Sequence, residues 1–354
     1  MLIVSLGSTG GLRAADEELL ASLHRAGASA AIARARPPRA LRTLMLTDLA
    51  WALSARRAAR EALAREPARA LIYSTTTAAL FWPRPGAIRF DALAAANRLG
   101  RHGLWQRPLE RRRLRQAPLL LPQSEGALAE APGASQRGVG DEGVLVLPVP
   151  VPVEALGVGT VETPSAVAVA PGAERECAVR IDRDIAAITY AANPTKKGLG
   201  ILLAAWARVR RVGEDLYVAG VSEDELRALG YELPAEGVRV TGLLPAQEYR
   251  TLLRRARAYV CAARREDYGI AQLEALADGC MLVTVPSPGP YAALPLARQL
   301  DGRLVGEDIG VALRTALDDP APAYAERARA MLEPYRREAV DRIVAEELLT
   351  RLIR

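Results

Sequence analysis

Hydrophobic positions along the chain keep two rhythms. Short runs that are apolar almost throughout predict strands at 2–6, 70–74, 86–90, 118–121 and 144–149, then at 185–191, 216–220, 238–244, 258–262 and 281–285. Between them, apolar residues return every third or fourth place, the spacing of one helix face. Such stretches run from about residue 13 to Gly27, over 41–64, through Leu199, Leu202, Leu203, Trp206 and Val209, and over 324–353 with a break near Pro334. Ser222 as an N-cap, acids at Glu223, Asp224 and Glu225, and a terminating Gly230 bracket another helix. Strand and helix alternating in this way predict an α/β layer structure. The first strand runs through Gly7-Ser8-Thr9-Gly10-Gly11 into its helix, the opening of a doubly wound unit whose ligands gather at the strands' carboxyl ends. Between Pro148 and Pro164 both rhythms give way to Pro, Val and Gly, which predicts a linker.

The richest stretch for chemistry is 264–279. Ile270, Leu273, Ala275, Leu276 and Ala277 recur at helical spacing, and Gly279 stands where a left-handed cap ends a helix. Glu266 then lies in the loop before that helix, and Glu274 about a turn and a half inside it. The unpaired first-turn amides, near Tyr268, Gly269 and Ile270, fall between the two acids. A helix N-terminus favours phosphate, and an ionised carboxylate can accept from both hydroxyls of a vicinal diol. Two diols flanking a diphosphate describe a nucleotide sugar. The small Gly269 lets the backbone come close to it.

The string Arg-Arg-Glu-Asp-Tyr-Gly-Ile, with Glu266 and Glu274 eight apart, resembles the Glu-x7-Glu motif of family-4 retaining glycosyltransferases of the GT-B fold. The resemblance spans nearly the whole chain and is most specific from Tyr190 to Gly289. It implies two Rossmann-like doubly wound domains facing across a cleft: an acceptor domain over 1–155 and a nucleotide-sugar-binding domain over 156–335. It also implies a C-terminal helix, about 336–354, packing back on the first domain. Glu266 would hold the sugar's hydroxyls and Glu274 the ribose. Ala192-Asn193-Pro194-Thr195-Lys196-Lys197-Gly198 is similar to the family's Arg-x4-Lys-Gly phosphate clamp, with Lys197 in the lysine place and Ala192 in the arginine place. Asn193, Arg264 and Arg265 are the candidates to make good that arginine. The resemblance further places Gly10 and Gly11 near the sugar or acceptor, and Gly242 and Leu243 at the nucleobase pocket. Ser287-Pro288-Gly289 stands for a Gly-Gly loop near the sugar, and Asp91 falls where relatives carry a histidine.

Composition narrows this in three ways. A length of 354 residues suits about two domains. The net charge is +6, and of 47 basic residues all but Lys196 and Lys197 are arginine, so two adjacent compact ammonium groups stand out. The run Arg107–Arg115, with five arginines against one acid, reads as a solvated face or as a contact for an anionic membrane or acceptor. Cys177, Cys261 and Cys280 form no CxxC pair and fit a reducing compartment. No targeting signal and no run of 18 apolar residues is evident, so a cytoplasmic location is expected, peripheral to the membrane's inner face if the arginine run binds it. Asp182-Arg183-Asp184 has a metal-binding pattern but precedes a strand, and reads as a surface turn.

The expectation is therefore a metal-independent, retaining glycosyltransferase that needs no cofactor. Its donor would be a UDP-, GDP- or ADP-sugar, and its acceptor a hydroxyl of unidentified kind; no nucleic acid is expected. Lys197 and Glu266 are the candidate catalytic residues. Asn193, Gly242, Leu243, Tyr268, Gly269, Ile270 and Glu274 join them, with Gly10 and Gly11, as donor-binding candidates. Two other readings stay open: a sugar-nucleotide epimerase of the same architecture, and a non-catalytic sugar-nucleotide binder.

Overall fold

A computed structural model describes residues 1–39, 43–98, 100–131, 142–153, 183–233 and 235–353. The expected linker beyond residue 153, the boundary near 155, Cys177 and Asp182 lie outside the described residues. The first half runs β1 (Leu2–Ser5), α1 (Gly10–Arg25), β2 (Ala31–Arg34), α2 (Leu44–Arg65), β3 (Leu71–Tyr73), α3 (Thr76–Ala79), β4 (Ala87–Phe90), α4 (Ala94–Asn97), α5 (Gln106–Gln116), β5 (Leu120–Pro122) and α6 (Glu125–Ala129). The second runs β6 (Ile185–Tyr190), α7 (Leu199–Val209), β7 (Leu216–Ala219), α8 (Glu223–Ala228), β8 (Val238–Gly242), α9 (Ala246–Arg255), β9 (Ala256–Cys261), α10 (Ile270–Ala277), β10 (Met281–Thr284), α11 (Ala293–Asp301), α12 (Ile309–Asp318) and α13 (Tyr324–Met331).

Among the described residues these strands form two parallel sheets, ordered β2-β1-β3-β4-β5 and β10-β9-β6-β7-β8. In each, the chain starts inside the sheet, builds toward one edge, then crosses to the other side of its first strand. The strand order thus reverses between β1 and β3, and again between β6 and β9, which makes each a switch point where a ligand finds an open crevice. Helices cover the sheets, and the interior strands are buried on both sides, which explains their continuous apolar runs.

The chain closes with α14 (Arg337–Arg342), a π-helical turn at Ile343–Leu348 and α15 (Leu349–Ile353). Val340, Val344 and Leu348 from this tail are buried with Ile3, Leu19 and Leu23 of the first half. Asp341 fixes it to α1, accepting from Ser22 Oγ at 2.5 Å and from Arg25 Nε at 2.6 Å.

Three local expectations change. The first helix begins at Gly10 and not near 13, because Thr9 Oγ1 accepts the Leu12 amide at 3.2 Å and caps it. The edge strand β2 went unread: its Ala-Ile-Ala-Arg is too short and too polar at its end to show a rhythm. Residues 144–149 do run along β5, with the Leu145 and Leu147 amides both donating to it at 2.9 Å, but only an isolated bridge forms at Val144. Pro148 and Pro150 have no N–H to extend the ladder.

Candidate functional site

Two loops meet at the switch point between β6 and β9. The loop after β6 turns on Asn193, whose Oδ1 accepts the Lys196 amide at 3.0 Å and whose carbonyl accepts the Lys197 amide at 2.9 Å. Gly198 caps α7 at φ +67°, and a Cβ there would stand 1.9 Å from the Ala262 carbonyl oxygen. Glycine alone permits this approach, which presses the lysine loop onto the segment leaving β9.

Two consecutive lysines thereby face two consecutive acids. Lys197 Nζ donates to Glu266 Oε2 at 2.6 Å, and Lys196 Nζ to Asp267 Oδ2 at 2.8 Å. Glu266 is only 5% exposed, and its Oε2 also accepts from Gln272 Nε2 at 2.9 Å. Asp267 Oδ1 accepts from Asn97 Nδ2 and Arg265 Nε, each at 3.2 Å. Burial alone would push the Asp267 carboxyl up, but Lys196, Asn97 and Arg265 outweigh it and hold it below the ordinary value.

Helix α10 starts at once beyond these acids. Gly269 caps it at φ +86° without a side-chain cap bond, which leaves the first-turn amides to a ligand or to water. A Cβ at Gly269 would stand 2.7 Å from the Tyr291 ring, so the turn is packed tightly from behind. Glu274 follows on the same helix, half-buried, and burial pushes its carboxyl up to about 7 against the opposing pull of Arg250. Lysine, acid, open helix terminus and second acid thus stand together: positive charge beside unpaired donors, with a carboxylate before and after.

Lys197, Glu266, Gly269 and Ile270 therefore share one corner, and Glu274 follows about a turn along α10, where Arg250 and Asp278 are the charges that act on it. Gly242 lies at the carboxyl end of β8, at φ +74°, with Leu243 beyond it 77% exposed. Gly10 and Gly11 belong to the other half, in the first turn of α1 and not in a loop. Neither has a positive φ, and a Cβ at Gly11 would meet nothing, so no close approach demands glycine there. The Tyr268 side chain is engaged elsewhere: its hydroxyl accepts from the Val149 amide at 2.9 Å and donates to the Val149 carbonyl at 3.3 Å. Only its backbone stays a donor-binding candidate. Asn193 shapes the lysine loop through the Oδ1 bond above. Of the arginines offered for the clamp, Arg265 is turned to the first half, where Glu130 takes it at 2.7 and 2.9 Å and Asn97 Oδ1 at 3.0 Å. Arg264 is left exposed. Asp184 pairs with Arg255 at the amino end of β6, the opposite edge of the sheet.

Asp91 is half-buried at the end of β4; its carboxyl is pushed up by burial and then by Asp267 across the junction. Sequence reasoning missed Gln272, Asn97 and Glu130. Gln272 had a signal, as the one long polar side chain between apolar neighbours on the buried face of α10. Asn97 and Glu130 had none, since their roles depend on how the halves meet.

This arrangement, with its two sheets, is that of the GT-B glycosyltransferases, and solved structures of that architecture match the chain almost end to end. HepE of Anabaena, in complex with UDP and glucose, gives a TM-score of 0.65 at 13% identity over 99% of this chain and 98% of its own. WaaG, a glycosyltransferase involved in lipopolysaccharide biosynthesis, gives 0.64 at 16% over 98% and 100%. Sucrose-phosphate synthase from Thermosynechococcus elongatus gives 0.68 at 16% over 96% and 95%. Identities this low speak for the fold. No curated protein sequence matches the chain significantly. Residues 183–333, which hold both lysines and both glutamates, match the family described as glycosyl transferases group 1. The chain is a glycosyltransferase.

Proposed function

We propose that the chain is a metal-independent, retaining glycosyltransferase that moves a sugar from a nucleoside-diphosphate sugar to a hydroxyl acceptor. The observation that carries this is the Lys197–Glu266 pair, 2.6 Å apart beside the uncapped start of α10, with Glu274 further along the same helix. In this reading the diphosphate sits on the first-turn amides and draws Lys197 to it; Glu266 grips the sugar and Glu274 the ribose. The bond from the anomeric carbon to the phosphate oxygen breaks as the acceptor oxygen bonds to that carbon on the same face. The acceptor's proton passes to the departing phosphate oxygen, and no side chain need act as nucleophile. UDP in the HepE complex supports a nucleotide-sugar donor here; UDP-, GDP- and ADP-sugars are all proposed. We place the enzyme in the cytoplasm, its first half resting on an anionic membrane.

Thermal-shift titration with the three donor classes, followed by turnover of whichever binds, tests this. Glu274→Ala is expected to weaken nucleotide binding, and Lys197→Ala to slow sugar transfer by about 100- to 1,000-fold. Unchanged kinetics in both would refute the assignment. Ala192 in the arginine place, with Arg265 engaged elsewhere, favours one second reading, a donor-binding protein without transfer. Tight binding with no sugar release would establish that instead.

A further inference from the structure

We infer that Gln272 is a positioning residue for Glu266: it fixes one carboxylate oxygen so that the other is presented to the donor's sugar. This rests on the reading of Glu266 as the acid that grips that sugar. Gln272 is 1% exposed on the inner face of α10. Its Nε2 donates to Glu266 Oε2 at 2.9 Å and to Cys261 Sγ at 3.0 Å, so both amide hydrogens are engaged. The orientation of the amide follows from chemistry, because an ionised carboxylate only accepts and cannot face an amide oxygen. Gln272 Oε1 is buried and has no hydrogen-bond partner among the described residues. A methionine would fill the same space without stranding that oxygen, so packing alone does not account for glutamine here.

The division of Glu266 is the second observation. Its Oε2 accepts from both Lys197 and Gln272, whereas its Oε1 accepts no bond among the described residues. Once a diphosphate draws Lys197 away, Gln272 is the remaining hold on the carboxylate. Cys261, the last residue of β9, anchors the other amide hydrogen, so the acid's aim is referred to the sheet itself. Removing Gln272 would free Glu266 to follow Lys197 toward the phosphate.

The test separates sugar recognition from diphosphate binding. Wild type, Gln272→Ala and the volume-keeping Gln272→Met are titrated with UDP, GDP and ADP, and sugar release is followed from the matching nucleotide glucose. Both variants are expected to bind the nucleoside diphosphate within about twofold of wild type, while kcat/KM for sugar release falls about 10- to 100-fold, the worth of a hydrogen bond to a charged group. Gln272→Glu adds a pH signature. Crowded against Glu266, the new acid takes up a proton at acid pH and can donate to Oε2 as the amide did; at higher pH both ionise and repel. Its sugar release is expected near wild type at acid pH and to fall as pH rises. Unchanged sugar release in Gln272→Met, equal loss of diphosphate binding in that variant, or a wild-type pH profile in Gln272→Glu would each overturn the inference. Failure of the glycosyltransferase reading shows separately, as wild-type protein that releases no sugar from any donor.

Discussion

A single carboxylate, Glu274, sets the pH response expected of this site. Its pKa is pushed by burial from the ordinary 4.5 to about 7. The folded state therefore holds that proton more tightly than the unfolded chain, so the stabilising contribution is full below about 4.5 and is lost as pH rises through about 7. Glu274→Gln is expected to gain about 3 kcal/mol over wild type near pH 8 and nothing near pH 4, measured by urea unfolding at both. Nucleotide binding should run the other way. On the proposed reading an ionised Glu274 accepts from both ribose hydroxyls, so affinity is expected to rise through about pH 7 and Glu274→Gln to flatten that rise. At this scale the sequence was legible in where the acids fall, Glu266 before the cap of α10 and Glu274 inside that helix. It was not legible where direction decides. Tyr268 adjoins Gly269 in the chain, yet its ring turns to Val149, and Gln272 bonds inward from a helix that reads as apolar.

Glycines that end one element and begin the next fix how the two site loops meet. Gly198 and Gly269 cap α7 and α10, both at positive φ, and both touch a neighbour that leaves no room for a Cβ. Gly198→Ala would meet the Ala262 carbonyl and impose a left-handed conformation on alanine. It is expected to cost about 1–3 kcal/mol in urea unfolding and to weaken donor binding, because the lysine loop must lift off the acids. A variant as stable as wild type would show that the loop yields freely. Interior strands such as β6 and β9 were readable because burial on both faces writes an unbroken apolar run. The start of α1 was not, since Thr9 as N-cap competes with the pull of two adjacent glycines toward a loop.

The whole molecule divides its charge unevenly. Residues 1–153 carry 21 arginines against 12 acids, whereas the rest of the chain carries 26 basic residues against 29 acids. The basic balance thus belongs to the first half, but less of Arg107–Arg115 faces outward than its sequence suggests. Arg107 is turned to the carbonyls of Arg98 and Gly100, and Arg113 donates to the Leu80 carbonyl while lying over the Trp82 ring. Arg111, Arg112 and Arg115 are the exposed members. Co-sedimentation with phosphatidylglycerol vesicles at low salt is expected, weakened at least about tenfold in Arg111→Ala/Arg112→Ala. Absence of binding at low salt would remove the membrane contact from the proposal. Among the described residues, no helix is long and apolar enough to cross a membrane.

The halves themselves are stitched by Arg265 to Glu130 and by Ser124 Oγ to the Pro290 carbonyl at 3.0 Å. The bond between Tyr268 and Val149 differs from these in kind. It grasps both the amide and the carbonyl of Val149, which follows β5 in the chain but is buried in the second half's core, and the grasping ring is rooted one residue before the cap of α10. A movement of Val149 away from the second half would break both bonds or pull on the helix's first turn. On the proposed reading, a diphosphate on that turn would feel any shift of Val149 through one phenol.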